Sequence, residues 1–132
     1  MSAAVRPINT SVPLQFHWDA DNVNDQYYLY MHFNEVNKKL AGNKTRTFNI
    51  TVNDKLLFGP VIPRYRVANT TYNQIPYTGA KTYEITFSKN ANASGSPILN
   101  AFEIYKVKDF SRSETHRDDG KLALLNTYAY LL

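Results

Sequence analysis

The sequence predicts an all-β protein built as an antiparallel β-sandwich. Three features of its 132 residues carry that expectation. Aromatic side chains make up 14% of the chain, with ten tyrosines, and such rings pack well on pleated surfaces. Apolar residues recur with period two in about seven short runs. Between the runs stand clusters of Asn, Asp, Gly and Pro, the residues that turn a chain.

Taken in order, residues 12–18 (VPLQFHW) set Val12, Leu14, Phe16 and Trp18 against Pro13, Gln15 and His17, a half-buried strand. Residues 19–25 (DADNVND) form a polar loop. Residues 26–35 (QYYLYMHFNE) hold the densest run of large apolar side chains and read as the central strand. Tyr27, Leu29, Met31 and Phe33 point to one side, Tyr28, Tyr30 and His32 to the other. Neither set is polar, which predicts a strand covered on both faces, with the tyrosines and His32 in the core. A helix is the competing reading. Aromatic content and short length favour the strand.

Residues 45–52 (TRTFNITV) place Phe48, Ile50 and Val52 on one face. Asn53 and Asp54 make a hairpin turn and residues 55–58 begin the return strand. Gly59, Pro60 and Pro63 suit an edge position, where proline is tolerated. Residues 67–77 are mixed and read as a further strand. Residues 82–88 (TYEITFS) turn Tyr83, Ile85 and Phe87 inward. Residues 98–110 read as a long last strand with Leu99, Phe102, Ile104 and Val107 in the core and a bulge near Asn100 and Ala101. Residues 121–128 fit a short C-terminal helix capped by Asp118 or Asp119. The organisation expected is an N-terminal extension over 1–11, one sandwich over 12–112 and a divergent tail over 113–132.

Composition sets the function classes. Hydrophobic residues are 43% and charged residues 20%, the balance of a globular domain. No cysteine is present, so disulfides and thiolate metal sites are excluded. Net charge is +4 and the isoelectric point near 9.3, which favours an anionic partner. The basic residues are scattered, and a soluble surface is the plainer reading. Residues 1–10 lack the apolar stretch of a signal peptide. No run approaches the ~20 apolar residues of a membrane-spanning helix.

Asn-x-Ser/Thr occurs five times, at Asn9, Asn43, Asn49, Asn69 and Asn92, where composition alone gives about two. The excess points to a secreted glycoprotein, although an Asn- and Thr-rich β protein also makes such triplets by accident. Asn43 and Asn92 fall in expected loops and Asn49 on a polar strand face. His17, His32 and His116 lack metal-ligand spacing, and Asp19, Asp21 and Asp25 lack the pattern of a calcium loop. No nucleophile elbow, phosphate loop or dinucleotide fingerprint is present. No catalytic residue, metal or cofactor is expected. A nucleic-acid role fits the charge but not the triplets.

Five motifs in order and at consistent spacing resemble a known family. They are residues 27–36 (YYLYMHFNEV), 45–55 (TRTFNITVNDK), 58–65 (FGPVIPRY), 97–110 (PILNAFEIYKVKDF) and 113–119 (SETHRDD). Together they are similar to the second lobe of the tandem malectin-like domain in ectodomains of plant leucine-rich-repeat receptor-like kinases. The likeness runs from about Pro7 to Asp119. Asp54 replaces the hairpin's usual glycine, predicting a looser turn. His116, Arg117 and Gly120 also depart from the pattern.

The resemblance implies a jelly-roll-like sandwich of the malectin and galactose-binding kind, extracellular, glycosylated and non-catalytic. The family's first lobe, signal peptide, leucine-rich repeats, membrane span and Ser/Thr kinase do not occur in this sequence, which reads as a fragment or truncated product of a receptor. Membrane attachment would come only through those missing parts.

Two functions follow. One is a carbohydrate-binding module for cell-wall polysaccharide. Its expected contacts are Trp18, Tyr65, Tyr72 and Tyr77 for stacking, with Arg64 and Arg66 for the carboxylates of a pectin-like chain. The other is an ectodomain that docks a secreted peptide or co-receptor and has no sugar site.

Overall fold

The alternation in the sequence becomes two four-stranded antiparallel sheets packed face to face, the expected sandwich. The computed structural model describes residues 6–9, 11–38 and 46–108 with their side chains, and residues 127–131 as backbone. The strands in chain order are β1 (Leu14–Asp19), β2 (Tyr27–Phe33), β3 (Phe48–Val52), β4 (Lys55–Val61), β5 (Asn69–Tyr72), β6 (Thr82–Lys89), β7 (Ala101–Lys106) and β8 (Thr127–Leu131). One sheet has the order β1-β6-β3-β4 and the other β5-β2-β7-β8.

Each sheet contributes one apolar face. Leu14, Phe48, Ile50, Val52, Val61, Tyr83, Ile85 and Phe87 come from the first, and Tyr27, Leu29, Met31, Phe33, Phe102 and Ile104 from the second. Rings lock the layers together. Phe33 of β2 meets Phe48 and Phe87 at centroid distances of 5.5 and 6.3 Å, and Phe16 stacks against Phe102. Such pairs add to area burial.

β2 is central as expected, flanked by β5 and β7. The expectation that both its faces are covered does not hold. Tyr28, Tyr30 and His32 are only half-buried and lie on the outer face of their sheet. A two-layer sandwich covers one face of each sheet, so a strand in its middle still presents every second residue outward. Aromatic density makes β2 look two-sided because its outer rings pack on one another across strands.

The β3–β4 hairpin closes through Asn53 and Asp54, with φ values of 46° and 62°. Left-handed conformation at both positions is the two-residue hairpin geometry. Asp54 therefore closes a tight two-residue turn, not the looser one expected, with Val52 paired to Lys55. Asn53 holds the turn onto β6: its backbone N–H donates to the Glu84 carbonyl at 2.9 Å, and its Oδ1 accepts from Glu84 N at 2.8 Å. Pro60 sits in β4, an edge strand, where a missing N–H costs no ladder bond.

β5 is shorter than its aromatic surroundings suggest, and a side chain extends its work. Buried Asn73 accepts from Leu29 N at 2.7 Å and donates to the Tyr27 and Ile75 carbonyls at 3.1 and 2.7 Å. It replaces one step of a strand ladder along β2.

β7 begins at Ala101 and needs no bulge there, because Ile98 and Leu99 fill the core from the segment before it. Val107 lies beyond the strand and is exposed, not in the core. The tail contributes β8, whose residues pair with β7 from Thr127 to Leu131. Residues 127 and 128 are therefore strand, not the end of a helix. The rest of the expected helix, residues 121–126, lies outside the described residues.

Candidate functional site

The six residues singled out for ligand contact separate into three places. Trp18 and Tyr77 lie at one end of the sandwich. Trp18 stacks on Tyr83 at 4.9 Å and meets Tyr27 and Phe102 edge-on, so its ring surface is spent inside the protein. Tyr77 packs against the same Tyr83, and its backbone pairs with Tyr27. Burial pushes the Tyr77 phenol above its ordinary pKa. A groove of about 340 Å³ opens beside this cluster, lined by His17, Trp18, Asp19, Asp21, Tyr27, Ile104 and Lys106. Its acids are already engaged. Lys106 Nζ reaches Asp21 at 3.0 Å and Asp25 at 2.7 Å, and Asp19 accepts from Thr82. Hydrogen bonding to Lys106 is the main cause that lowers the Asp25 pKa. The bonds to Asp25 and then Asp21 raise that of Lys106.

Arg64, Tyr65 and Arg66 lie at the opposite end. Tyr77 pairs with Tyr27, whereas Tyr65 bridges to Glu35. Eight residues of extended chain separate those two points, roughly 26 Å. The arginine turn is anchored by Glu35, whose N–H donates to the Arg64 carbonyl at 3.2 Å and whose carbonyl accepts from Arg66 N at 2.9 Å. Arg66 adopts φ 55°, uncommon for a residue with a side chain, and its guanidinium sits 5.2 Å from the Tyr65 ring centroid. Beneath this turn lies a buried ion pair. Arg46 Nε meets Glu35 Oε2 at 2.5 Å, Arg46 Nη1 donates to the Ser96 carbonyl, and Asn37 N donates to Glu35 Oε1 at 2.9 Å.

Tyr72 belongs to a third surface, the outer face of the second sheet. Here the strand register sets side chains in rows. Tyr28 stands opposite Tyr105, Tyr30 between Tyr72 and Glu103, and His32 between Thr70 and Ala101. Tyr30 stacks on Tyr72 at 5.2 Å and meets Tyr105 edge-on at 5.3 Å. Tyr105 Oη donates to Glu103 Oε2 at 2.7 Å, the principal cause of its raised pKa. His32 Nδ1 lies 2.9 Å from Thr70 Oγ1, and its Nε2 faces Glu103 at 3.8 Å.

Beside this row a groove of about 410 Å³ is lined by Tyr28, Tyr30, Tyr105, Lys106, Val107 and Lys108. That is within the range of about 300 to 1,000 Å³ that small ligands use. Among the described residues, Tyr28 has no ring contact with another aromatic and is half-buried, and Tyr72 is half exposed.

This face was hidden in the sequence because its tyrosines alternate with core residues on the same strand. The readable signal was β5, whose Thr70 and Tyr72 alternate outward. Of the sequence triplets, Asn9, Asn69 and Asn92 are exposed, and Asn43 lies outside the described residues. Asn49 is half-buried, and its Oδ1 lies 2.2 Å from where a Cβ on Gly59 would stand. Its amide is packed over the neighbouring strand. No group of His, Asp and Glu among the described residues has metal-binding geometry. Among them, too, no helix is long and apolar enough to cross a membrane.

A family model described as the malectin-like domain matches residues 1–107. A probable LRR receptor-like serine/threonine-protein kinase of Arabidopsis thaliana is 37% identical over 121 residues, 90% of this chain. A second such Arabidopsis kinase, PAM74, is 38% identical over 120 residues, also 90% of the chain. The chain spans only 13% and 14% of the length of these two relatives. Among solved structures, that of the plant receptor-like kinase ANX2 superposes with a TM-score of 0.62 at 20% identity, over 82% of this chain and 31% of that one. That likeness concerns the fold. With the sandwich, the motif order and these relatives in agreement, the chain belongs to the malectin-like domain family found in plant leucine-rich-repeat receptor-like kinases.

Proposed function

We propose that this chain is a non-catalytic, extracellular lobe of a receptor-like kinase ectodomain that docks a cell-wall carbohydrate on the outer face of the β5-β2-β7-β8 sheet. The tyrosine row carries the reading. Tyr28, Tyr30, Tyr72 and Tyr105 sit on one half-exposed face beside an open groove. The C–H face of a sugar ring is apolar and stacks on such rings, while its rim hydroxyls need the donors and acceptors that His32, Thr70 and Glu103 supply. The Trp18 end is a poorer platform, because Trp18 and Tyr77 pack on the buried core ring of Tyr83, whereas the Tyr30–Tyr72 stack lies on an outer sheet face.

Cations favour an acidic chain. Lys108 lines the groove near Tyr28, and the Arg64–Arg66 turn follows the other end of β2. A polyuronide lying along β2 meets positive charge at both ends. The test is titration with oligogalacturonides and with neutral glucan oligomers, read from tyrosine ring resonances. The acidic oligomers are expected to bind more tightly, with a salt-dependent affinity. Tyr28→Ala and Tyr105→Ala should each weaken binding about tenfold, the equivalent of one aromatic contact of about 1.4 kcal/mol. Absence of binding to both series, or binding indifferent to Tyr28→Ala, overturns the reading.

A further inference from the structure

The two sheets leave their flank open where edge strand β4 faces edge strand β5, and the strip between them is apolar. A groove of about 420 Å³ runs there, with Phe33 and Val61 at its floor and Phe58, Pro60, Ile62, Arg64, Asn69 and Thr70 around it. Phe58 and Ile62 are about half exposed. A second groove of about 490 Å³, again containing Phe58, continues it past Tyr72 and Ile75, which is 80% exposed. Exposed apolar residues along two unpaired strand edges are a liability that native proteins cover. Charge does little to blunt these edges: β5 is short but carries no charge along Asn69–Tyr72, and β4 has Pro60 and an irregular register but only one charge, Lys55 at its far end.

Asn69 supplies a cover. It heads the triplet Asn69-Thr70-Thr71, is exposed, and lines the groove wall opposite Phe58 and Ile62. Its parity on β5 is that of Thr71, which turns into the gap between the sheets, and opposite to that of Tyr72, on the outer face. A group attached to its amide therefore starts inside the groove.

We infer that Asn69 is N-glycosylated and that the first sugar of this glycan lies in the β4–β5 groove, where it shields the apolar strip and both open edges. In the coupling, Asn69 Nδ2 attacks the anomeric carbon of a lipid-diphosphate-linked oligosaccharide. The C1–O bond to the diphosphate breaks, its electron pair leaves on the diphosphate, and the amide loses one proton. The sugar's acetamido methyl and apolar face rest on Phe58 and Ile62. Its hydroxyls are within reach of the Arg64 guanidinium and of water. Asn49, with its amide packed over Gly59, and Asn92, in the turn after β6 and in the lining of neither groove, have no comparable seat.

The inference rests on the extracellular placement proposed above, and the experiment separates the two. The full chain is purified from its natural tissue and, in parallel, from plant cells that secrete it behind a cleavable leader. Glycopeptide mass spectrometry reads Asn9, Asn69 and Asn92. Asn69 is expected to be occupied in both preparations.

Trimming the glycan to its first sugar should leave self-association unchanged. Asn69→Gln should raise self-association several-fold at equal concentration, and adding Phe58→Ser and Ile62→Ser should remove that increase. A bare Asn69 beside an occupied Asn9 or Asn92 overturns the inference alone. A chain with no glycan at any site in natural tissue overturns the extracellular placement with it. Occupied Asn69 with no effect of Asn69→Gln shows a glycan that covers nothing, and equally refutes it.

Discussion

Replacing Arg46 with methionine is expected to be among the most damaging single changes in this domain. The side chain is 4% exposed and its partner Glu35 1% exposed. Methionine keeps much of the volume, so the loss is electrostatic. Glu35 would keep one described donor, Asn37 N on Oε1, and lose the charge that compensates its burial. Breaking a buried pair from one side costs about 3–5 kcal/mol. The Ser96 carbonyl also loses its guanidinium donor, worth about 1 kcal/mol. The sum, about 4–6 kcal/mol, is a large share of the 5–15 kcal/mol typical of a domain.

Urea unfolding followed by circular dichroism measures it, as a lower midpoint at an unchanged slope. Pairing Arg46→Met with Glu35→Gln should recover part of the loss, because no uncompensated charge is then buried. Hydrogen exchange should show the damage at the Glu35 and Arg66 amides first, since the arginine turn hangs on the Glu35 backbone. A single variant within about 1 kcal/mol of the parent, with the slope preserved, refutes the reasoning.

The remaining predictions concern other sites. Asn73→Ala should cost about 1–3 kcal/mol, chiefly because it leaves the Leu29 N–H buried without that partner, while the Tyr27 carbonyl keeps the Tyr77 N–H; the same urea experiment tests it, and a loss under about 0.5 kcal/mol would show that water takes over. The Lys106–Asp25 pair should shape the acid limb of stability. Asp25 is held below its ordinary value of 3.8, so its contribution is present above that pH and lost as pH falls through the lowered value. Lys106 is held above 10.5, so its contribution is present below that pH and lost as pH rises through the raised value. Lys106→Met should therefore flatten the fall in urea midpoint below about pH 4, and an unchanged acid limb would count against the pairing.

How much of this was legible beforehand depends on how local the cause is. The strands were legible because period two is local: Leu29, Met31 and Phe33 must share a face wherever β2 sits. The Asn53 and Asp54 turn was legible for the same reason. Which face is covered is a property of the layer, and no pattern within β2 states that the sandwich ends at its outer side.

The ion pair of Arg46 and Glu35, eleven positions apart, and Asn73, forty-four from Leu29, were equally invisible, being choices of tertiary packing. β8 was missed because a short apolar run near the terminus fits a helix and a strand alike, and only β7 beside it decides.

The candidate site divided in an instructive way. Loop and edge aromatics and arginines were singled out together, yet Arg64 and Arg66 share one turn, Tyr72 lies on a sheet face, and Trp18 is packed against Tyr83 and Tyr27. The available rings lie instead on a central strand. In a two-layer fold the strand that anchors the core on one face is also the most rigid support for a ligand on the other. Tyr27, Leu29, Met31 and Phe33 hold β2 in place and so fix the backbone positions of Tyr28, Tyr30 and His32, and cross-strand contacts to Tyr72, Tyr105 and Thr70 orient the rings of Tyr30 and His32. One run of alternating residues therefore makes both the core and the candidate docking face. That double duty explains its aromatic density better than burial on two sides.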